Sequence, residues 1–227
     1  SALVSDVELV EEFPSRYDVE AARQHRWVRG DWQLLPWILD VRNGLSPLGR
    51  WKLLDNLRRS LGAPALLLAF LLGWILPLAH AGWWALFLLV VVALPPYLPV
   101  LTGMFSAHGW RFGRAHLRAL VQESVLAGLQ LLFTLAFLAR VAFLALDAIL
   151  RTLVRLVVTR RRMLEWVTYA QTVYSRQSNL QALTLQLMGA FAMVAVAAAA
   201  ILWRAPQNLV KAAPFFLLWG FSPVIAR

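Results

Sequence analysis

Cysteine is absent from all 227 residues, which excludes disulfides, thiolate nucleophiles and cysteine-based zinc sites together. Charge is missing over long distances: none lies in the 51 residues from Ser60 to Trp110, and none in the 27 from Gln177 to Trp203. A soluble domain is about 45–50% apolar; this chain is 60% hydrophobic, with a mean hydropathy of +0.62. Crossing a bilayer takes about 20 apolar residues in a helix. A water-soluble globule is therefore excluded, and a mainly α, multi-span membrane protein is expected. Histidine is scarce too, and His80, His108 and His116 fall at no metal-ligand spacing.

Acidic residues all but vanish beyond residue 61. Residues 1–61 hold nine Lys/Arg and nine Asp/Glu, whereas residues 62–227 hold thirteen and three. The net charge of +10 thus belongs to the hydrophobic part, where basic residues flank apolar runs as topology and anionic headgroups favour. No groove-reading module accompanies it, so nucleic acid is not an expected partner. The opening Ser1–Glu8 is acidic and too short in apolar length for a signal peptide. Lacking an initiator Met, the chain is expected to be a piece of a longer protein.

Four regions are expected: residues 1–61, polar and membrane-proximal; 62–101, a transmembrane hairpin; 102–185, cytoplasmic and interfacial amphipathic helices; and 186–227, two further spans. Alternation over Asp6–Leu9 predicts a short strand ended by Pro14. A helix should start near Asp18, since Val19–Leu35 holds no proline. Ser46-Pro47 predicts a second start, serine capping free N–H groups and proline suiting the first helical position. In the hairpin, His80-Ala81-Gly82 marks the turn, and Pro95, Pro96 and Pro99 are expected to end helical bonding. Trp74, Trp83 and Trp84 are expected in an interfacial belt.

Residues 125–165 carry Arg140, Asp147, Arg151, Arg155, Arg162 and Glu165 within an arc of about 80° on a helical wheel. One charged stripe on an apolar helix predicts a segment lying in the interface plane. Topology points the same way: a crossing at 125–146 would carry five arginines to the outer side, against the positive-inside tendency. The spans at 186–203 and 209–225, joined by Arg204–Asn208, bring the expected crossings to about four.

Chemistry concentrates in Arg23–Gln33, where Arg23, Arg26, Arg29, His25, Asp31, Trp27 and Trp32 stand just ahead of the membrane. Guanidinium groups offer planar bidentate donors to a diphosphate, and indole faces stack on sugar rings. The cluster therefore fits a sugar-nucleotide site. It equally fits an interfacial helix that binds lipid phosphates and anchors by tryptophan. Asp31 either holds Arg26 or Arg29 by a charge-assisted bond or faces solvent.

The blocks Asp6–Tyr17, His25–Gln33, Gly49–Ser60, Arg151–Arg155, Leu164–Thr168 and Leu218–Pro223 resemble the cyclic β-1,2-glucan synthases, and the resemblance covers essentially the whole chain. It implies synthesis of cyclic β-1,2-glucan from UDP-glucose at the inner face of the bacterial inner membrane. It also implies a GT-A transferase domain related to cellulose synthase, whose C-terminal edge would be residues 1–61, and a divalent metal (Mg or Mn). The implied Q-x-x-R-W motif places Arg26 on the donor diphosphate and Trp27 under the acceptor sugar. Its glutamine position holds Arg23, with Gln24 adjacent; Arg29 and Asp31 complete the candidate substrate-binding set. The catalytic base and the metal ligands are expected upstream, so neither a catalytic residue nor a metal ligand is assigned here. Expected partners are UDP-glucose, the growing glucan, the bilayer and the remaining synthase polypeptide. From another class, a transporter or channel subunit remains open, as does a non-catalytic anchor; the apolar runs 62–101 and 186–203 lack the mid-membrane ionisable groups that transport uses.

With residues 102–185 on the cytoplasmic side, a cysteine at Ser175 is expected to resist a membrane-impermeant thiol reagent added from outside. Ready labelling would put that segment on the opposite side.

Overall fold

The computed structural model describes residues 17–42, 44–76, 81–105, 114–160 and 180–225. The strand expected at Asp6–Leu9, His80 of the expected turn, and the Arg162 and Glu165 end of the charged stripe lie outside them; Ala81 and Gly82, the other two residues of that turn, are instead the first residues of a helix, Ala81–Met104. The helices in order are α1 (Tyr17–Gln33), α2 (Leu35–Leu39), α3 (Pro47–Ile75), α4 (Ala81–Met104), α5 (Arg114–Val154), α6 (Leu180–Arg204) and α7 (Leu209–Ile225). No strand occurs among the described residues.

Local signals set several boundaries as expected. Ser46 caps α3, its hydroxyl accepting from the Gly49 N–H at 3.1 Å, with Pro47 in the first turn. Before it, the Asp40 carboxylate accepts from the Arg42 N–H at 2.9 Å, and Gly44 takes a φ of 72°, open to glycine without strain. Arg50 reaches back to the Ile38 and Asp40 carbonyls, both at 3.1 Å, and fixes α2 against α3. Helix α3 runs unbroken through residues 61 and 62, changing from polar to apolar within one helix.

Helix α4 departs from expectation. Pro95, Pro96 and Pro99 lie inside it, and it continues to Met104. Each proline removes one N–H without forbidding helical φ and ψ. In apolar surroundings, opening the helix would strand more polar groups than it relieves. The Thr102 hydroxyl donates to the Pro99 carbonyl at 3.0 Å, three residues earlier.

Helix α5 is the hub, packing against α1, α3, α4, α6 and α7. Its row Ala136, Ala139, Ala142, Ala145 and Ala148 is buried throughout, and small residues at that spacing let neighbouring backbones approach closely. Beyond Val154 it ends in a wider π-type turn, Arg155–Thr159, closed by Arg160 in the left-handed region. The expected interfacial segment thus differs in what covers its stripe: at Arg140 and Asp147 the cover is protein, contributed by α1, not water. Among the described residues, three helices, α3, α4 and the stretch His116–Thr159, are long and apolar enough to cross a membrane, and Met188–Arg204 is a shorter apolar helix.

The apolar core lies among α3, α5 and α7. Trp74, expected at the interface, is fully buried there, with the Phe215 ring at 5.1 Å and Trp219 at 6.2 Å. Hydropathy alone does not separate an inward aromatic from a lipid-facing one, because both surroundings are apolar. Two polar clamps complete the core. Asn208 donates to the Trp74 carbonyl at 2.9 Å, capping α3, and the Trp219 indole N–H donates to the Leu135 carbonyl at 2.9 Å.

Helices α3 and α4 touch where a side chain is lacking. A Cβ on Gly73 would lie 2.0 Å from Trp84 Cδ1, and Trp84 is itself held by donation to the Ala69 carbonyl. Gly73→Ala should lower stability in detergent by about 1–3 kcal/mol, read as a lower melting temperature. Gly62→Ala in the same helix meets open space and should not. Equal melting of the two variants would contradict this crossing.

Candidate functional site on the first helix

Helix α1 has two faces with different duties. Residues 17, 21, 25 and 32 recur at spacings that share one side of a 3.6-residue helix, and each meets the bundle. Tyr17 stacks on Phe137, ring centroids 4.8 Å apart, and the Arg140 guanidinium lies 4.4 Å over the Tyr17 ring. Burial pushes the Tyr17 phenol up from its ordinary 10.0, against the opposing pull of Arg140, so it stays neutral. Ala21 is buried. His25 Nε2 donates to the Asp147 carboxylate at 3.0 Å, and the other Asp147 oxygen receives Arg151 Nε at 2.7 Å. At the far end, the Trp32 indole N–H donates to the Ser60 hydroxyl at 2.8 Å.

Arg140 gathers three helices. It is 6% exposed, sits on α5 against Tyr17 of α1, and reaches the Ser222 carbonyl of α7 at 3.5 Å. That carbonyl belongs to the last turn of α7, whose unsatisfied C=O groups carry partial negative charge. A guanidinium there both caps a helix end and receives the face of an aromatic ring.

The expected substrate-binding residues divide over the rest of α1. Trp27 is 59% exposed. Arg23, one turn earlier, places its guanidinium 4.8 Å over the Trp27 ring and contacts Glu20 Oε2 at 2.7 Å, a charge contact without hydrogen-bond alignment. Gln24 donates to the other Glu20 oxygen at 3.2 Å. Arg26 and Arg29 are half-buried on the flank, with the Arg29 charge felt at His25.

Asp31 goes elsewhere than expected. Residues two or five apart on a helix do not face one another, so Asp31 turns from Arg29 and Arg26 toward α3. There Asn56 donates to it at 3.3 Å. Burial raises its carboxyl from the ordinary 3.8, and the Asn56 bond and the Arg59 charge pull it back down.

The partnerships of His25 with Asp147, Tyr17 with Arg140, and Glu20 with Arg23 were not expected from the residues. One signal was available: Asp147 is the only acid between Glu123 and Glu165, and a lone carboxylate on an apolar helix calls for a partner. Its partner is 122 positions away, which spacing cannot show. Among the described residues, no group of three His, Asp or Glu side chains is placed to hold a metal ion.

No protein-family model matches the chain. Over 228 aligned positions it is 41% identical to the cyclic beta-(1,2)-glucan synthase NdvB of Rhizobium meliloti (strain 1021). The alignment takes in 99% of this chain and spans 8% of that protein's length. The resemblance read from the sequence is borne out.

Burial holds the His25 imidazole below its ordinary 6.5, with Arg29 and Arg151 acting in the same direction and Asp147 opposing. A base with a depressed folded pKa contributes stability that is present above its unfolded value and lost as pH falls through the folded one. Protection of α1 amides in hydrogen exchange should therefore weaken as pH is lowered below 6.5, after correction for intrinsic exchange. His25→Gln should flatten this dependence; an unchanged profile would contradict it.

Proposed function

We propose, from the near-complete match of this chain to part of a cyclic glucan synthase, that it forms the membrane-anchored portion of such an enzyme. In this reading α1 is the shelf that touches both substrates. Arg26 offers parallel N–H donors to the diphosphate of UDP-glucose, and Arg29 adds positive charge beside it. Trp27 presents an apolar ring face to the acceptor end of the growing β-1,2-glucan. The location is the bacterial inner membrane, crossed several times, with α1 on the cytoplasmic side.

The chemistry assigned to each group follows from the reaction. The acceptor hydroxyl attacks the anomeric carbon of the donor, the hydroxyl proton passes to a base, and UDP departs with its bond electrons. Cationic donors preorganised at the departing diphosphate act where charge develops, and removing one such group costs about 10²–10³ in rate. An aromatic platform that fixes the acceptor supplies orientation, the second large contribution. The base and any divalent metal would come from other parts of the synthase.

The observation that carries this reading is the asymmetry of α1. Its inner face is tied to α5 and α3 through Tyr17, His25 and Trp32, while Trp27, adjacent to Arg26, stands exposed. A helix that only anchored to lipid would have no need of so many directional ties on its other side.

The test places this stretch in a complete synthase, in exchange for the matching stretch of the Rhizobium meliloti enzyme, and follows labelled glucose from UDP-glucose into glucan. Arg26→Gln should reduce synthesis about 100-fold or more, and Trp27→Ala about tenfold or more, at normal membrane expression. The 227-residue chain alone should show no turnover. Undiminished synthesis by both variants would leave α1 an anchor only.

A further inference from the structure

An indole on an outward helix face is free to swing unless something holds it. Around Trp27 there is room: a Cβ on Gly30, one turn further on, would meet nothing within 4 Å. Yet Arg23, on the same face, has a side chain only 14% exposed. It belongs to a relay along one strip of α1. Glu20 uses one carboxylate oxygen on Arg23 at 2.7 Å and the other on Gln24 at 3.2 Å, and the Arg23 guanidinium then lies 4.8 Å over the Trp27 ring. Positions 20, 23, 24 and 27 are three and four apart, the spacings at which helix side chains meet.

We infer that Glu20 and Arg23 are positioning residues for Trp27, sealing one face of the indole so that the opposite face alone is offered to a pyranose ring. This rests on the reading of Trp27 as the acceptor platform, and it changes the role of Arg23. A guanidinium paired with a carboxylate and stacked on an aromatic ring has its charge and its planar surface already engaged. It supports the platform and does not clamp the diphosphate, which falls to Arg26. Cation–π attraction holds the guanidinium over the ring face, and Glu20 keeps it from following an incoming phosphate. A ring held in one tilt loses less freedom when a sugar stacks on it, which favours binding.

The test uses the whole 227-residue chain in lipid nanodiscs, labelled with 5-fluorotryptophan, the Trp27 fluorine signal being identified by its disappearance in Trp27→Phe. Without any ligand, Arg23→Leu and Glu20→Gln should each shift or broaden that signal while the Trp32 and Trp74 signals stay put. Arg23→Lys, which keeps the cation, should restore it in part. A β-1,2-linked gluco-oligosaccharide should then bind the Leu and Gln variants about three- to tenfold more weakly than the unsubstituted chain, and UDP should bind all of them alike. A Trp27 signal indifferent to both substitutions would overturn the inference. So would a large loss of UDP affinity in Arg23→Leu with an unmoved Trp27 signal, which would make Arg23 a diphosphate ligand. If the oligosaccharide binds equally to the unsubstituted chain and to Trp27→Ala, the acceptor reading itself fails, while the fluorine comparison still decides whether Arg23 and Glu20 orient the ring.

Discussion

The seating of α1 on α5 is the constraint on which the remaining features depend. Two contacts make it. At one end Arg140, almost wholly buried, meets the Tyr17 ring and the last turn of α7. Two turns further along α1, His25 meets Asp147. A charge taken out of water costs several kcal/mol unless its surroundings compensate. Here a ring face and a helix-end carbonyl supply the compensation. Removing Tyr17 or the end of α7 would leave Arg140 without it, so the three helices hold one another in place through a single side chain. An ionisable residue inside an apolar helix is by default a functional candidate, and a transport role was open for this chain. The surroundings of Arg140 give it a different task, which is to join helices.

Seated in this way, α1 presents a fixed outer strip. The inner row is consumed by packing and hydrogen bonds. Asp31 and Trp32 are drawn to Asn56 and Ser60 of α3. What remains outward is Trp27, with Glu20 and Arg23 partly buried beside it and Arg26 and Arg29 on the flank. The short α2 and its Arg50 clamp set how α3 leaves this shelf and enters the apolar bundle. Helix α1 and the apolar bundle are thereby joined through packed helices.

Much of this was legible in the residues and some was not, for identifiable reasons. The start of α3 at Ser46-Pro47, a helix from about residue 18, and the α6–α7 pair around Arg204–Asn208 follow from local chemistry, which spacing reports well. The arc holding Arg140, Asp147 and Arg151 was also correctly drawn, but its cover was not. That cover comes from α1, more than a hundred residues earlier, and periodicity records only that a face differs, not what lies against it. The alanine row Ala136–Ala148 was the missed sign that α5 is surrounded. Trp74 was misplaced because lipid and protein core select the same residue types. The prolines of α4 were over-read because a missing N–H was taken to break a helix that apolar surroundings keep intact. At the site, residue types pointed to α1, while the contacts of Arg23 with Glu20 and the Trp27 ring required coordinates.

The seating of α1 is tested most directly by a double-mutant cycle on His25→Ala and Asp147→Ala, read as hydrogen-exchange protection of the α1 amides in a bilayer. Residues in contact couple by about 0.5–3 kcal/mol, whereas distant ones add within about 0.3–0.5 kcal/mol. The expected result is clear non-additivity, the double variant exchanging about as fast as either single one. Strict additivity would mean that α1 does not rest on α5, and the outward strip carrying Trp27 would lose its foundation.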